Sequence, residues 1–299
     1  MANGTEVKFE GVFVALATPM TDSQEVHYDN LRALAEHMID QGVHGIIPLG
    51  STGEYYALTP QERQDVVAAT IDAVAGRVPV VVGTNAGSTR EVVEYARAAQ
   101  DAGGDGILLA APYYSLPTGE ELVDHIRTVN DAISIPIMLY NYPARTGVDM
   151  TPDIVERLAE MDNVRYIKES TGDPSRMSEI IGRCGDKISV FCGCDTLGIE
   201  AFEMGAVGWV GGVVNVIPAQ HVEFFEKACK LKDPEATREC YDRMRPILEM
   251  MENGGKYTQL VKAGCDLMGH PAGPPRQPLL PAGEADVAAL KEALQPFAS

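Results

Sequence analysis

Short runs of β-branched and other apolar residues recur along the chain, each separated from the next by a longer stretch whose apolar positions return every three or four residues. The runs are GVFVALATP (11–19), GIIPLG (45–50), VPVVVGT (78–84), GILLAAP (106–112), IPIMLYN (135–141), VRYIKES (164–170), ISVFCG (188–193) and VGWVGG (207–212). Near-continuous apolarity predicts strands covered on both faces, and the stretches between them, such as 28–40, 60–75 and 88–102, predict amphipathic helices. Thr59 followed by Pro60 and Glu62 marks one helix start, because the hydroxyl caps orphan amides and proline needs no donor there. Alternating strands and helices require parallel pairing, and eight such units suit a closed (β/α)8 TIM barrel of the α/β class. An open doubly wound sheet is the competing arrangement, but the first strand runs into ATPMTDSQ, with no GxGxxG phosphate loop. After the eighth unit the pattern turns helical, through 233–253, 254–269, a proline-rich GHPAGPPRQPLLP and a last helix at 284–294. The expected organisation is a catalytic barrel at 8–231 and a C-terminal helical extension at 232–299.

Composition narrows the partners. With 299 residues, 45% of them hydrophobic, the chain can build one large core. A net charge of -19 repels phosphate backbones and anionic lipid, so neither nucleic acid nor membrane is an expected partner. No apolar run reaches the roughly 18 residues of a membrane span, and MANGTEVKFEG carries no secretory-type apolar stretch, so a cytoplasmic location is expected. The six cysteines (184, 192, 194, 229, 240 and 265) form no CxxC pair and are expected to be reduced and mostly buried. The six histidines show no HxH or HExxH, so no metal is expected.

In a barrel of this kind the chemistry belongs at the C-terminal ends of the strands. Those positions hold Thr18, the loop Gly50-Ser51-Thr52-Gly53-Glu54, Thr84-Asn85, Tyr113-Tyr114, Tyr140-Asn141, Lys168-Glu169, Gly193 and Gly211-Gly212. Lys168 interrupts an apolar strand. Desolvation there favours the neutral amine, the nucleophile that forms an imine with a carbonyl. Imine formation needs protons moved onto and off the carbinolamine oxygen, and Tyr140 with Ser51 or Thr52 has the groups to relay them. The residues alone leave the plainer readings open: Lys168 reaching solvent or pairing with Glu169, Tyr140 as a core aromatic, and Ser51 and Thr52 as turn residues.

Four segments, GSTGE (50–54), PYYSLP (112–117), LYNYPARTG (139–147) and IKESTGD (167–173), occur in the order and spacing of a known family. In them the chain resembles the dihydrodipicolinate synthase and N-acetylneuraminate lyase family of class I, Schiff-base-forming aldolases. The resemblance implies that Lys168 forms an imine with pyruvate or a related 2-keto acid and that Tyr140 shuttles the proton. It implies that Ser51 links Tyr140 to Tyr114, which a neighbouring subunit contributes. Thr52 and the backbone amides of its loop would hold the keto-acid carboxylate, as anions are held at a helix entrance. Gly193 and Val210 would line the pocket. The assembly implied is a homotetramer, a dimer of dimers, with no cofactor beyond the covalent imine.

Arg145, in PARTG, matches the arginine that meets the carboxylate of aspartate semialdehyde in the synthase branch, a role suited to a planar guanidinium fork. Sialic acid lyases generally lack it, so the resemblance favours condensation of pyruvate with aspartate semialdehyde. Some positions depart from that branch. Ser51 stands where threonine is usual, and GWVGGVVN, with bulky Trp209, replaces a segment closer to GVISVTAN, which predicts a reshaped pocket. Tyr55, Tyr56, Pro60, Arg63 and Gly87 differ from the lysine-inhibited synthases, so feedback by lysine is not expected. The alternatives are a pyrroline-4-hydroxy-2-carboxylate deaminase, a 2-keto-3-deoxy sugar acid aldolase or dehydratase, and a non-catalytic barrel that binds a small acid. The retained nucleophile and hydroxyls speak against the last.

Overall fold

A computed structural model describes residues 8–297. The stretch 1–7, part of the segment read as lacking a secretory leader, lies outside the described residues. All eight apolar runs form strands: β1 (Gly11–Ala15), β2 (Gly45–Ile47), β3 (Val81–Gly83), β4 (Gly106–Ala110), β5 (Ile137–Asn141), β6 (Val164–Glu169), β7 (Ser189–Cys192) and β8 (Gly208–Gly211). They pair in parallel in the order β2-β1-β8-β7-β6-β5-β4-β3, and a parallel bridge between Ile46 and Val80 joins β2 to β3, closing the barrel. The helices lie where the 3.6-residue pattern placed them. Tyr28–Asp40 spans its predicted segment, Pro60–Val74 begins behind Thr59, and Thr89–Asp101 behind Ser88. Thr59 and Glu62 form a reciprocal capping box, with amide-to-side-chain bonds of 2.8 and 3.3 Å.

Strand alternation divides the core in two. Phe13, Ile47, Val81, Leu108, Met138 and Phe191 face the barrel interior, while Val12, Val14, Ile46 and Val82 face the helices. Phe9, which precedes β1, stacks on Tyr166 at 4.6 Å, and Phe13 meets Phe191 edge-on at 5.4 Å. These rings fill the interior toward the N-terminal end, which leaves the C-terminal end for ligands.

The pairing of β5 with β6 contains a register shift. Ile137 opposes Val164, but Met138 opposes Tyr166, so Arg165 is skipped and Tyr140 falls beside Lys168. Without the skip Tyr140 would oppose Ile167, whose side chain faces the other side of the sheet. The extension folds as helices Pro234–Asn253, Tyr257–Leu267 and Glu284–Leu294, the first of which packs on the turn Asp195–Leu197 after β7. Among the described residues no helix is long and apolar enough to cross a membrane.

Candidate active site

Lys168 is 7% exposed at the end of β6, and its Nζ lies 4.4 Å from the centre of the Tyr140 ring. Glu169 does not pair with it. The Glu169 carboxylate instead accepts from the Thr171 amide at 2.6 Å and from Asn141 Nδ2 at 3.0 Å, on the other face of the strand. Burial pushes the Lys168 ammonium below its ordinary range, while the negative charges of Asp195 and Glu252 pull it back. Burial also raises the Tyr140 phenol, and a hydrogen bond with Ser51 opposes that rise. Burial thus drives both the Lys168 amine and the Tyr140 phenol toward their neutral forms.

Space around the amine is enforced by glycine. A Cβ on Gly193 would fall 1.9 Å from Ser170 Oγ and 2.8 Å from Lys168 Cε, so any side chain there displaces the lysine. A Cβ on Gly212 would fall 2.7 Å from Thr52 Oγ1. Both glycines line a narrow cleft together with Ser51, Thr52, Tyr140, Arg145 and Lys168. Arg145 sits on the short helix Pro143–Thr146, stopped by left-handed Gly147, and its guanidinium hydrogen-bonds the Tyr142 phenol.

Two other positions singled out in the sequence lie elsewhere. Val210 is fully buried in the interior cluster with Tyr140 and is not among the residues lining the cleft. Tyr114 is 97% exposed, with a left-handed φ of 70°, and does not reach this chain's cleft. Two local expectations need correction. The loop at 50–54 does not open a helix: a single 3-10 turn, Tyr55–Ala57, follows it, and the helix begins only at Pro60. Its conformation is held by side chains instead, with Thr18 donating to the Gly53 carbonyl at 2.8 Å and buried Glu54 bound to Lys262 at 2.5 Å. Trp209, read as part of a reshaped pocket, points outward against His221 and Phe224.

Trp209 nevertheless bears on the site, because its Nε1 donates to Asp195 at 3.0 Å. Asp195 is 1% exposed and also accepts from the Tyr257 phenol, whose oxygen accepts from the Gly212 amide at 2.9 Å. The Asp195 amide donates to Glu252 at 3.3 Å. Burial and the neighbouring Glu252 charge raise the Asp195 carboxyl well above the usual carboxylate range, and burial raises Glu252 too. Asp195 follows Gly193 by two residues at a strand end and was open to detection there. Glu252 and Tyr257 come from the extension, which barrel logic does not search. Among the described residues no group of three or more His, Cys, Asp or Glu side chains is placed to hold a metal, and all six cysteines are free.

Comparison with known proteins agrees with this arrangement. The chain matches the dihydrodipicolinate synthetase family over residues 8–296. It is 37% identical over 292 residues to the 4-hydroxy-tetrahydrodipicolinate synthase of Methanospirillum hungatei, covering 97% of this chain and 99% of that one. It is 40% identical over 278 residues to the enzyme of the same name from Geobacter metallireducens, covering 93% and 95%. Among solved structures, the chloride-inhibited dihydrodipicolinate synthase of Acinetobacter baumannii, complexed with pyruvate, superposes with a TM-score of 0.91 at 33% identity, covering 96% of this chain and 98% of that one. Barrel, lysine and whole-length similarity agree: the chain belongs to the dihydrodipicolinate synthetase family of lyases.

Proposed function

We propose that the protein is a 4-hydroxy-tetrahydrodipicolinate synthase that joins pyruvate to aspartate semialdehyde through an imine on Lys168. One observation carries this reading: a lysine amine, dehydrated and without an ion pair among the described residues, lies 4.4 Å from the Tyr140 ring in a cleft that also holds Arg145. The neutral amine attacks the pyruvate carbonyl. Tyr140 supplies the proton that lets water leave the carbinolamine, and Ser51 passes protons to it. Thr52 and its loop amides take the pyruvate carboxylate, Gly193 leaves room for the adduct, and Val210 supports the interior behind Tyr140. The names of the matched relatives support the second substrate, as does Arg145, whose fork suits a carboxylate at the mouth. No cofactor or metal enters the scheme. We place the enzyme in the cytoplasm as a homotetramer in which Tyr114 enters a neighbouring site. Its exposure and strained backbone support that role, because a bulky residue in the left-handed region needs compensation from its surroundings.

The test is borohydride reduction in the presence of pyruvate, with mass analysis of the Lys168 peptide, followed by a substrate panel. The wild type should acquire one reduced pyruvate on Lys168, and Lys168→Ala none, with turnover lost. Pyruvate with aspartate semialdehyde should exceed N-acetylneuraminate, 2-keto-3-deoxygluconate and pyrroline-4-hydroxy-2-carboxylate in kcat/KM. An unmodified peptide at saturating pyruvate sinks the covalent mechanism, and a preference for the pyrroline replaces the synthase reading with a deaminase.

A further inference from the structure

Besides Lys168, two charged groups in the cleft lack an ion pair among the described residues. Arg145 enters from the loop after β5, and Glu252 from the last turn of the helix Pro234–Asn253. Neither takes part in an ion pair among the described residues. Glu252 is fixed by one oxygen, Oε2, on the Asp195 amide at 3.3 Å, and no hydrogen bond is made to Oε1. A half-buried carboxylate is favoured by neighbouring positive charge, and in the cleft Lys168 and Arg145 both act on this one. Asp195 supplies no such charge, being itself an acid whose oxygens are occupied by Trp209 and Tyr257. Lys168 supplies it only while it remains an ammonium, and the chemistry converts it into the imine of the first substrate. From then on an anionic aldehyde without a cation would meet Arg145 favourably and Glu252 unfavourably.

We infer that Glu252 and Arg145 together bind the zwitterionic head of the second substrate, Glu252 taking its α-ammonium and Arg145 its carboxylate. The inference rests on the synthase reading and adds the residue that distinguishes an amino-acid aldehyde from a plain acid aldehyde. The opposite charges of the two side chains match the two ends of that head, and they arrive from separate elements, so their separation is set by the packing of the extension on the barrel. A polar site left unfilled by an analogue is how a pocket rejects ligands that are merely similar in shape.

The experiment measures carbon–carbon bond formation from pyruvate with aspartate semialdehyde and with its des-amino analogue, succinate semialdehyde, in wild type, Glu252→Gln and Glu252→Asp. The ratio of the two kcat/KM values cancels any change in the imine step, which both aldehydes share. Wild type should prefer the amino aldehyde by about 100-fold. Glu252→Gln, which can still accept from the Asp195 amide, should cut that ratio at least tenfold, mainly through KM for the aldehyde, and Glu252→Asp should recover part of it. Pyruvate trapping on Lys168 shows that each variant is folded. An unchanged ratio in a Glu252→Gln protein that traps pyruvate overturns the inference alone. Trapping without turnover of either aldehyde by wild type overturns the synthase reading, and this inference with it.

Discussion

At the scale of single residues, the environment of Lys168 decides its chemistry. An ammonium over a tyrosine ring gains some cation–π attraction, but it has left bulk water and has no ion-pair partner among the described residues. Burial is the largest influence on its titration and pushes it down, with Asp195 and Glu252 opposing. The rate of pyruvate trapping at low pyruvate should therefore rise with pH and level off at a midpoint below the ordinary lysine value of about 10.4. Between the folded and unfolded pKa values the unfolded chain binds more protons at this site, so the lysine's contribution to stability also rises with pH across that window. A trapping profile that titrates at or above the ordinary value would show an amine held as an ammonium, contrary to this account.

Among the elements, the loop at 50–54 and the helix Tyr257–Leu267 are joined through one buried pair. Glu54 and Lys262 are 0% and 1% exposed, and Glu54 holds a left-handed φ of 55° while accepting from the Arg276 amide at 2.7 Å. Removing one partner strands the other's charge away from water. Lys262→Met should cost about 3–5 kcal/mol in denaturant unfolding, and the double change Glu54→Gln with Lys262→Met should recover part of that. A single-variant loss near zero would mean that water or local rearrangement screens Glu54. The same pair shows why the loop was read only in part: GSTGE announces a turn with hydroxyls, but the lysine that fixes it lies 208 residues later.

For the whole molecule, two apolar side chains stand out on the surface of the barrel. Tyr114 and Leu116 are 97% and 56% exposed, both with positive φ, an arrangement that isolated solvent-facing residues do not favour. If these residues complete a neighbouring site, Tyr114→Ala should lower kcat by about tenfold or more and weaken the assembly in sedimentation. Full activity in a Tyr114→Ala monomer would contradict the shared site.

Hydrophobic periodicity alone determined the eight strands, their parallel pairing and the barrel, because period and burial are local properties of each segment. It also marked Lys168, since a charge inside an apolar strand is visible without coordinates. Tertiary structure decided the rest. The skipped Arg165 sets Tyr140 beside Lys168, and a one-residue shift depends on how two strands pack rather than on either sequence. Trp209 faces the helices and supports Asp195 instead of filling the pocket, because its side is set by the pleat of β8. Glu252 and Tyr257 reach the cleft only because the extension folds back over the barrel mouth, a long-range contact that no local pattern encodes.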